Sequence, residues 1–378
     1  MIILYISIFL FLGYSCLIIY YWLSWRAVPE YISGVEKPNT GLSVVIAARN
    51  EEKNIMTCLE SVCSQHYPSE SFQIIAIDDC STDKTWDMLR HFDFGGKAIN
   101  TIRLAEVEER EFSAYKKRAI EKGIAMSDNN VIVTTDADCK PPLTWLKTIA
   151  SFYEENKSAF IAAPVVLQND SSVLQIFQAL DFLILQGITG ASVYKKTHSM
   201  CNGANLAYEK IIFNEVSGFA GIDNIASGDD MLLMHKISSK YSDRVHYLKS
   251  KHAIVATLPM QTWKDFFHQR IRWSSKATFY DDKRIFWVLL LVYLFNLSFL
   301  VVLVAGFWLH VLWIYAGILW IAKTIIEFPF VYSVARFFDK TPLLKYFLFF
   351  QPLHIAYTIM VGFLGQFGKY EWKGRKVR

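Results

Sequence analysis

The stretch Val131-Ile132-Val133-Thr134-Thr135-Asp136-Ala137-Asp138 sets two carboxylates one residue apart at the end of an apolar, β-branched run. Such a run predicts a buried strand. Neighbouring side chains on a strand point to opposite faces, so Asp136 and Asp138 share a side. Open α/β sheets bind their ligands at the carboxyl ends of strands. Two hard oxygen ligands there suit a divalent cation that also holds phosphates. A turn with two solvated acids is the plainer alternative, and these residues alone do not choose between them.

Other groups of the same kind recur along the chain. Arg49-Asn50-Glu51 follows the strand-like run Leu42–Ala48, and Asp78-Asp79 follows Phe72–Ile77. Three polar strand ends in one sheet would line one crevice. Ser227-Gly228-Asp229-Asp230 precedes Met231-Leu232-Leu233-Met234. Acids there complement the dipole of a helix start, a structural reason for the pair that stands beside any chemical one. Gln269, Arg272 and Trp273 are spaced i, i+3 and i+4, on one side of a helix predicted over Gln261–Phe279.

Several chemistries are not indicated. No GxGxxG follows the first strand and no GxxxxGK[ST] occurs, so any phosphates would be held by cations rather than by a glycine-rich loop. The six cysteines form no paired CxxC set, which argues against zinc and a disulfide framework and fits a reducing compartment. A net charge of +4 is too small to suggest nucleic acid.

These side chains need a scaffold, and the sequence predicts one in two solvents. The 378 residues are 53% hydrophobic and 20% charged, with mean hydropathy +0.23. The split is regional. Residues 1–25 predict a retained membrane anchor, since no basic segment or small-residue cleavage site marks a signal peptide. Residues 40–260 alternate strand and helix, which predicts a mostly parallel α/β sheet. Helices are expected at Glu51–Gln65, Thr82–His91, Ala114–Met126 and Val173–Ile188, with a strand over Phe160–Leu167. Residues 261–282 predict an amphipathic helix at a membrane interface, with Trp263, Phe266, Phe267 and Ile271 on its apolar face; core packing is the alternative.

Residues 285–368 predict two or three membrane helices. No Asp, Glu, Lys or Arg occurs from Ile285 to Ala322, which fits a hairpin turning near Gly306–His310. Lys323 and Glu327 then stand four apart, either as a functional pair or as a self-satisfied one that packs helices. The basic tail, residues 369–378, suits anionic headgroups or solvent equally. With the middle domain in the cytoplasm, a third full span would carry that tail outside, against the positive-inside rule. A re-entrant or interfacial last segment, broken at Pro352, avoids this. The reading here leans to a full span.

In their order, these motifs resemble the membrane-bound inverting glycosyltransferases of family 2, with a GT-A fold. The resemblance covers roughly residues 41–275. It rests on Ala48-Arg49-Asn50-Glu51, Asp78-Asp79-Cys80-Ser81-Thr82-Asp83, Lys116, Asp136-Ala137-Asp138, Gly228-Asp229-Asp230 and Gln269-Arg270-Ile271-Arg272-Trp273. The last is similar to the QxxRW motif of cellulose, chitin, hyaluronan and poly-N-acetylglucosamine synthases and of ceramide glucosyltransferase. Cys80 stands where the family usually has glycine, and Asp229 where it usually has glutamate. The chain also has fewer spans than large polymer synthases.

The resemblance implies a set of roles. Asp138 binds Mg²⁺ or Mn²⁺, and Asp136 supports the nucleotide sugar and the metal. Asp79, with Asp78 and Glu51, recognises base and ribose, and Lys116 faces the nucleotide. Asp230 is the general base. Arg272 stabilises the diphosphate, with Trp273 near the acceptor and Gln269 in the same motif. The expected partners are a UDP-sugar, membrane lipids and a lipid or growing-saccharide acceptor, at the cytoplasmic face of an inner or plasma membrane. Transfer of a single sugar to a lipid is the alternative to polymer synthesis, and an inactive partner subunit is a third.

Overall fold

The structure is a computed structural model that describes residues 2–97, 99–107, 115–168, 171–198, 200–223, 225, 228–275, 283–367, 370–372 and 375–377. Ala114, Ser227 and Phe279, named above, lie outside the described residues, as do residues 368, 369, 373, 374 and 378 of the last segment and tail.

The chain opens with helix α1 (Ile2–Ala27) and then enters the α/β part through β1 (Leu42–Ala48), α2 (Ile55–Cys63), β2 (Phe72–Asp78) and α3 (Thr85–Arg90). Next come β3 (Asn100–Arg103), α4 (Leu104–Val107), α5 (Tyr115–Ala125), β4 (Val131–Asp136) and α6 (Trp145–Asn156). The predicted strand over Phe160–Leu167 is two short ones, β5 (Phe160–Ala162) and β6 (Val165–Leu167). Pro164 lies in the break, where its missing N–H would leave a gap in a ladder. Helix α7 (Val173–Lys195) runs about two turns beyond the predicted Ile188.

The α/β part continues with β7 (Leu206–Glu209), α8 (Lys210–Glu215), α9 (Met231–Tyr241), β8 (Val245–Tyr247) and β9 (Val255–Thr257). Helices α10 (Trp263–Ser274), α11 (Lys283–Ala305), α12 (Val311–Phe337) and α13 (Phe347–Phe367) follow, and strands β10 (Tyr370–Trp372) and β11 (Arg375–Val377) pair antiparallel at the end.

Seven strands form one sheet in the order β3-β2-β1-β4-β7-β5-β8. The β3-β2-β1-β4 half is parallel, and β7 is antiparallel to both its neighbours. Strand alternation splits β1 between two cores: Val44 and Ile46 face one layer with Leu59 and Trp145, and Val45 faces the other with Ile120 and Tyr208. Register then sets the site. Ala48 pairs with Asp78 and Ala47 with Asp136, so the polar ends of β1, β2 and β4 finish at one level.

Among the described residues, five helical segments are long and apolar enough to cross a membrane: α1, α7, α11, α12 and the segment Thr341–Gln366. Most of α7 is buried inside the protein, between α1, α12 and strands β6 and β8. The hairpin of α11 and α12 turns where the sequence predicts.

The last apolar run packs on both arms of the hairpin. Tyr293 of α11 meets Gly362 of α13, and Phe299 clusters with Ile355. Along α12, Glu327 bonds Gln351 and Leu319 clusters with Ile355. A helix aligned with this hairpin would run with one arm and against the other, but α13 runs against both. It therefore lies across the hairpin. Both of its ends reach the catalytic part: Leu343, just before it, packs on Ile176 and Leu180 of α7, and Gly365 abuts Ser274 of α10.

Candidate active site

The loop after β2 is held from both sides. Arg49 donates from Nη1 to the carbonyls of Asp79 (2.7 Å) and Cys80 (2.8 Å). The Asp79 N–H donates to the Ala48 carbonyl at 2.8 Å. Cys80 sits at φ 53°, the left-handed region that favours glycine. Glu51 is braced by Thr85, whose Oγ1 accepts from its N–H at 2.7 Å, and by Asn54, which donates to its carboxylate at 2.7 Å.

Glu51, Asp79, Lys116, Asp136, Asp138, Asp229, Asp230, Gln269, Arg272 and Trp273 all line one cavity of about 810 Å³. Asp78 does not. It is fully buried behind the loop, where it accepts from the Ser81 N–H at 3.3 Å and stands 3.9 Å from Arg103. Burial raises its carboxyl above the ordinary value. Its place is to anchor the loop that presents Asp79.

Lys116, from α5, ties two motifs together. Its Nζ lies 2.6 Å from Asp136 and 3.1 Å from Asp229. Burial works against the ammonium, but Asp136 and then Asp229 outweigh it and hold its pKa above the usual lysine value. The basic residue expected beside the nucleotide is thus also the link between β4 and the start of α9.

Asp136, Asp138 and Cys139 offer donor atoms all within 4.8 Å of one another. The Cys139 thiol is buried, 3.6 Å from the Asp138 carboxylate. Burial, then the charges of Asp138 and Asp136, push its pKa well up. The thiolate is disfavoured there, so the donors best suited to a cation are the two carboxylates, a hard oxygen set fitted to Mg²⁺ or Mn²⁺.

Asp230 caps α9, its Oδ1 accepting from the Met231 N–H at 2.7 Å. Its Oδ2 accepts from the Gly203 N–H at 3.2 Å. The helix-start reason for this acid therefore holds, and the same two bonds fix its carboxylate in the cavity wall. On α10, Gln269, Arg272 and Trp273 face the cavity. Of the aromatic face expected at a membrane surface, Phe266 is fully buried against Phe177 of α7 and Tyr357 of α13, while Trp263 is 38% exposed.

With that geometry established, the comparisons with known proteins decide the family. The model described as Glycosyl transferase family 2 matches residues 43–217, and that described as Glycosyl transferase family group 2 matches residues 131–364, more than half of the chain. The chain belongs to glycosyltransferase family 2. It is 24% identical over 252 residues to a Bacillus subtilis protein described as a probable glycosyltransferase, YdaM, covering 66% of this chain and 58% of the relative. It is 24% identical over 252 residues to the poly-beta-1,6-N-acetyl-D-glucosamine synthase of Staphylococcus epidermidis, covering 62% and 54%. The chain thus spans little more than half the length of these relatives. A mannosyltransferase from Pyrobaculum calidifontis, solved with GDP-Man and Mn²⁺, superposes with a TM-score of 0.55 at 16% identity over 96% of this chain and 98% of the other. That likeness shows a shared fold, GT-A.

The cavity region also holds residues that sequence reasoning passed over. Gly203 is one: a Cβ there would fall 3.3 Å from Asp229 and 3.4 Å from Lys116. Its signal was the small-residue run Cys201-Asn202-Gly203-Ala204-Asn205. Arg270 is another. It is buried within the QxxRW motif, 2.7 Å from Asp181 of α7 and 4.3 Å over the Trp273 ring. Lys323 and Glu327 bond each other at 2.6 Å and both bond Gln351, while Tyr14 donates to Glu327, all of them buried, the arrangement expected of a self-satisfied pair.

Proposed function

We propose that this chain is an inverting, metal-assisted transferase that moves a sugar from a nucleotide-sugar donor, a UDP-sugar by family resemblance, to an acceptor hydroxyl at the cytoplasmic face of a membrane. The observation that carries the reading is the single cavity that collects acids from β1, β2, β4 and the start of α9 together with the QxxRW helix. The solved relative that binds GDP-Man with Mn²⁺ is compatible with a nucleotide sugar and leaves the base open.

Asp79 and Glu51 line the end of the cavity formed by the β1 and β2 loops, and are assigned to base and ribose. Asp138 and Asp136 would hold the cation, which when bound would neutralise the leaving diphosphate as a Lewis acid. Arg272, on the facing helix, places positive charge where the leaving diphosphate develops negative charge. Lys116 keeps Asp136 and Asp229 from repelling each other. Asp230 takes the acceptor proton as the hydroxyl oxygen attacks the anomeric carbon. One base and one direct displacement invert that carbon, giving a β-linked product from an α-linked donor. Trp273 and Gln269 border the acceptor.

The test is nucleotide binding by thermal shift in full-length protein, alongside transfer of a labelled sugar, each in EDTA and after Mn²⁺ or Mg²⁺ is restored. Transfer should vanish in chelator and return with the ion. Full activity in chelator would remove the metal role of Asp138 and Asp136.

A further inference from the structure

The catalytic cavity does not end at the carboxylates. It continues between α1, α7, α11 and α13, where its walls include Leu17 and Ile18, Ile184 and Ile188, and Leu289 and Val292. Most of these walls are apolar, with Tyr21, Gln186, Thr189 and Thr358 among them. Tyr14 also lines the cavity, its ring stacked on Phe295 at 4.6 Å and its hydroxyl bonded to Glu327. Among the described residues, none of α1 ahead of Tyr14, none of α11 beyond Tyr293 and none of α12 lines the cavity. The cavity meets the outer surface of the helices: Phe286, Leu289 and Phe363 line the cavity while 48%, 44% and 55% exposed. Large apolar side chains shared by a cavity and a membrane-facing surface make a side entrance for hydrocarbon.

We propose that the acceptor is a membrane lipid bearing a free hydroxyl, with its headgroup at Asp230 and its hydrocarbon chain in this mostly apolar limb of the cavity. This rests on the transfer reading above and names its acceptor. Asp181, Asp229 and Asp230 all line the cavity. Asp181 already pairs with Arg270, and Asp229 with Lys116. The Asp230 carboxylate suits an acceptor hydroxyl, from which it takes a proton. In the reaction the lipid hydroxyl oxygen bonds to the anomeric carbon. The bond from that carbon to the diphosphate oxygen breaks, its electron pair leaves with the nucleoside diphosphate, and the hydroxyl proton passes to Asp230.

The experiment uses the full chain in phosphatidylethanolamine–phosphatidylglycerol vesicles carrying dioleoylglycerol, a ceramide or glucosylated dioleoylglycerol. Labelled UDP-glucose, UDP-N-acetylglucosamine and GDP-mannose are supplied with Mn²⁺, and nucleotide binding is measured on the same preparation. The expected result is label in the organic phase as a single added sugar. Leu289→Trp, which fills the limb from its half-exposed side, should cut that transfer at least tenfold with nucleotide affinity unchanged. A water-soluble dibutyryl analogue should be a correspondingly poor acceptor for the unmodified chain, a comparison that needs no variant. Label only in water-soluble product, or equal use of short and long chains, overturns the lipid acceptor and leaves sugar transfer standing. Failure to bind any of the three donors overturns sugar transfer itself, and the lipid acceptor with it.

Discussion

Asp230 is aimed by backbone as much as by its own chain. Gly203 supplies the N–H that bonds one oxygen of its carboxylate, and lies close enough to Asp229 and Lys116 that a methyl group must push one of them. Gly203→Ala should therefore lower the transfer rate by about 10- to 100-fold, the scale of a misplacement of an ångström or less, with little change in melting temperature. Steady-state kinetics beside a melting curve would check it, and an unchanged rate would free Asp230 from this loop. Cys80 gives a second prediction. At φ 53° a β-branched side chain is strained, so Cys80→Val should cost about 1–2 kcal/mol while Cys80→Gly stays near neutral. Equal melting temperatures for the two variants would contradict this.

Between elements, the contact that matters most is the buried pair of Arg270 and Asp181. It fastens the QxxRW helix α10 to α7, while Arg272 and Trp273 on the same helix face the cavity. Asp181→Ala leaves a buried guanidinium without its partner and should cost about 3–5 kcal/mol. The double variant Asp181→Leu with Arg270→Met should recover much of that stability, and denaturation in detergent would show whether it does. Much at this scale was legible in the sequence. Strand alternation gave β1, β2 and β4, and acids at their ends gave the level of the site. What was not legible were partners far apart in the chain. Nothing local to Lys116 names Asp229, and nothing local to Arg270 names Asp181. Asp78 was assigned to base and ribose through the resemblance; in the structure it is buried behind the loop, while its neighbour Asp79 lines the cavity. The break at Pro164 was written in the sequence and outweighed by the apolar run around it.

At the scale of the whole molecule, composition predicts how many helices are apolar but not which way they lie. The segment after Lys345 is apolar enough to span, and α13 nonetheless crosses the α11–α12 hairpin with both ends against the catalytic part. A re-entrant α13 would keep the basic loop at Arg336–Lys345 and the basic tail on one side, in keeping with the positive-inside rule. In a Cys16→Ser background, cysteines placed at Lys340 and Gln366 should both react with an impermeant thiol reagent from the side of the catalytic domain. Labelling from opposite sides would restore a full span. The most direct measurement for the molecule as a whole compares Asp230→Asn with the unmodified chain for two quantities, transfer of a labelled sugar and affinity for the donor nucleotide. Loss of transfer by at least about 100-fold with nucleotide affinity kept is the predicted result. Normal turnover with weakened nucleotide binding would contradict it, and would place the base elsewhere.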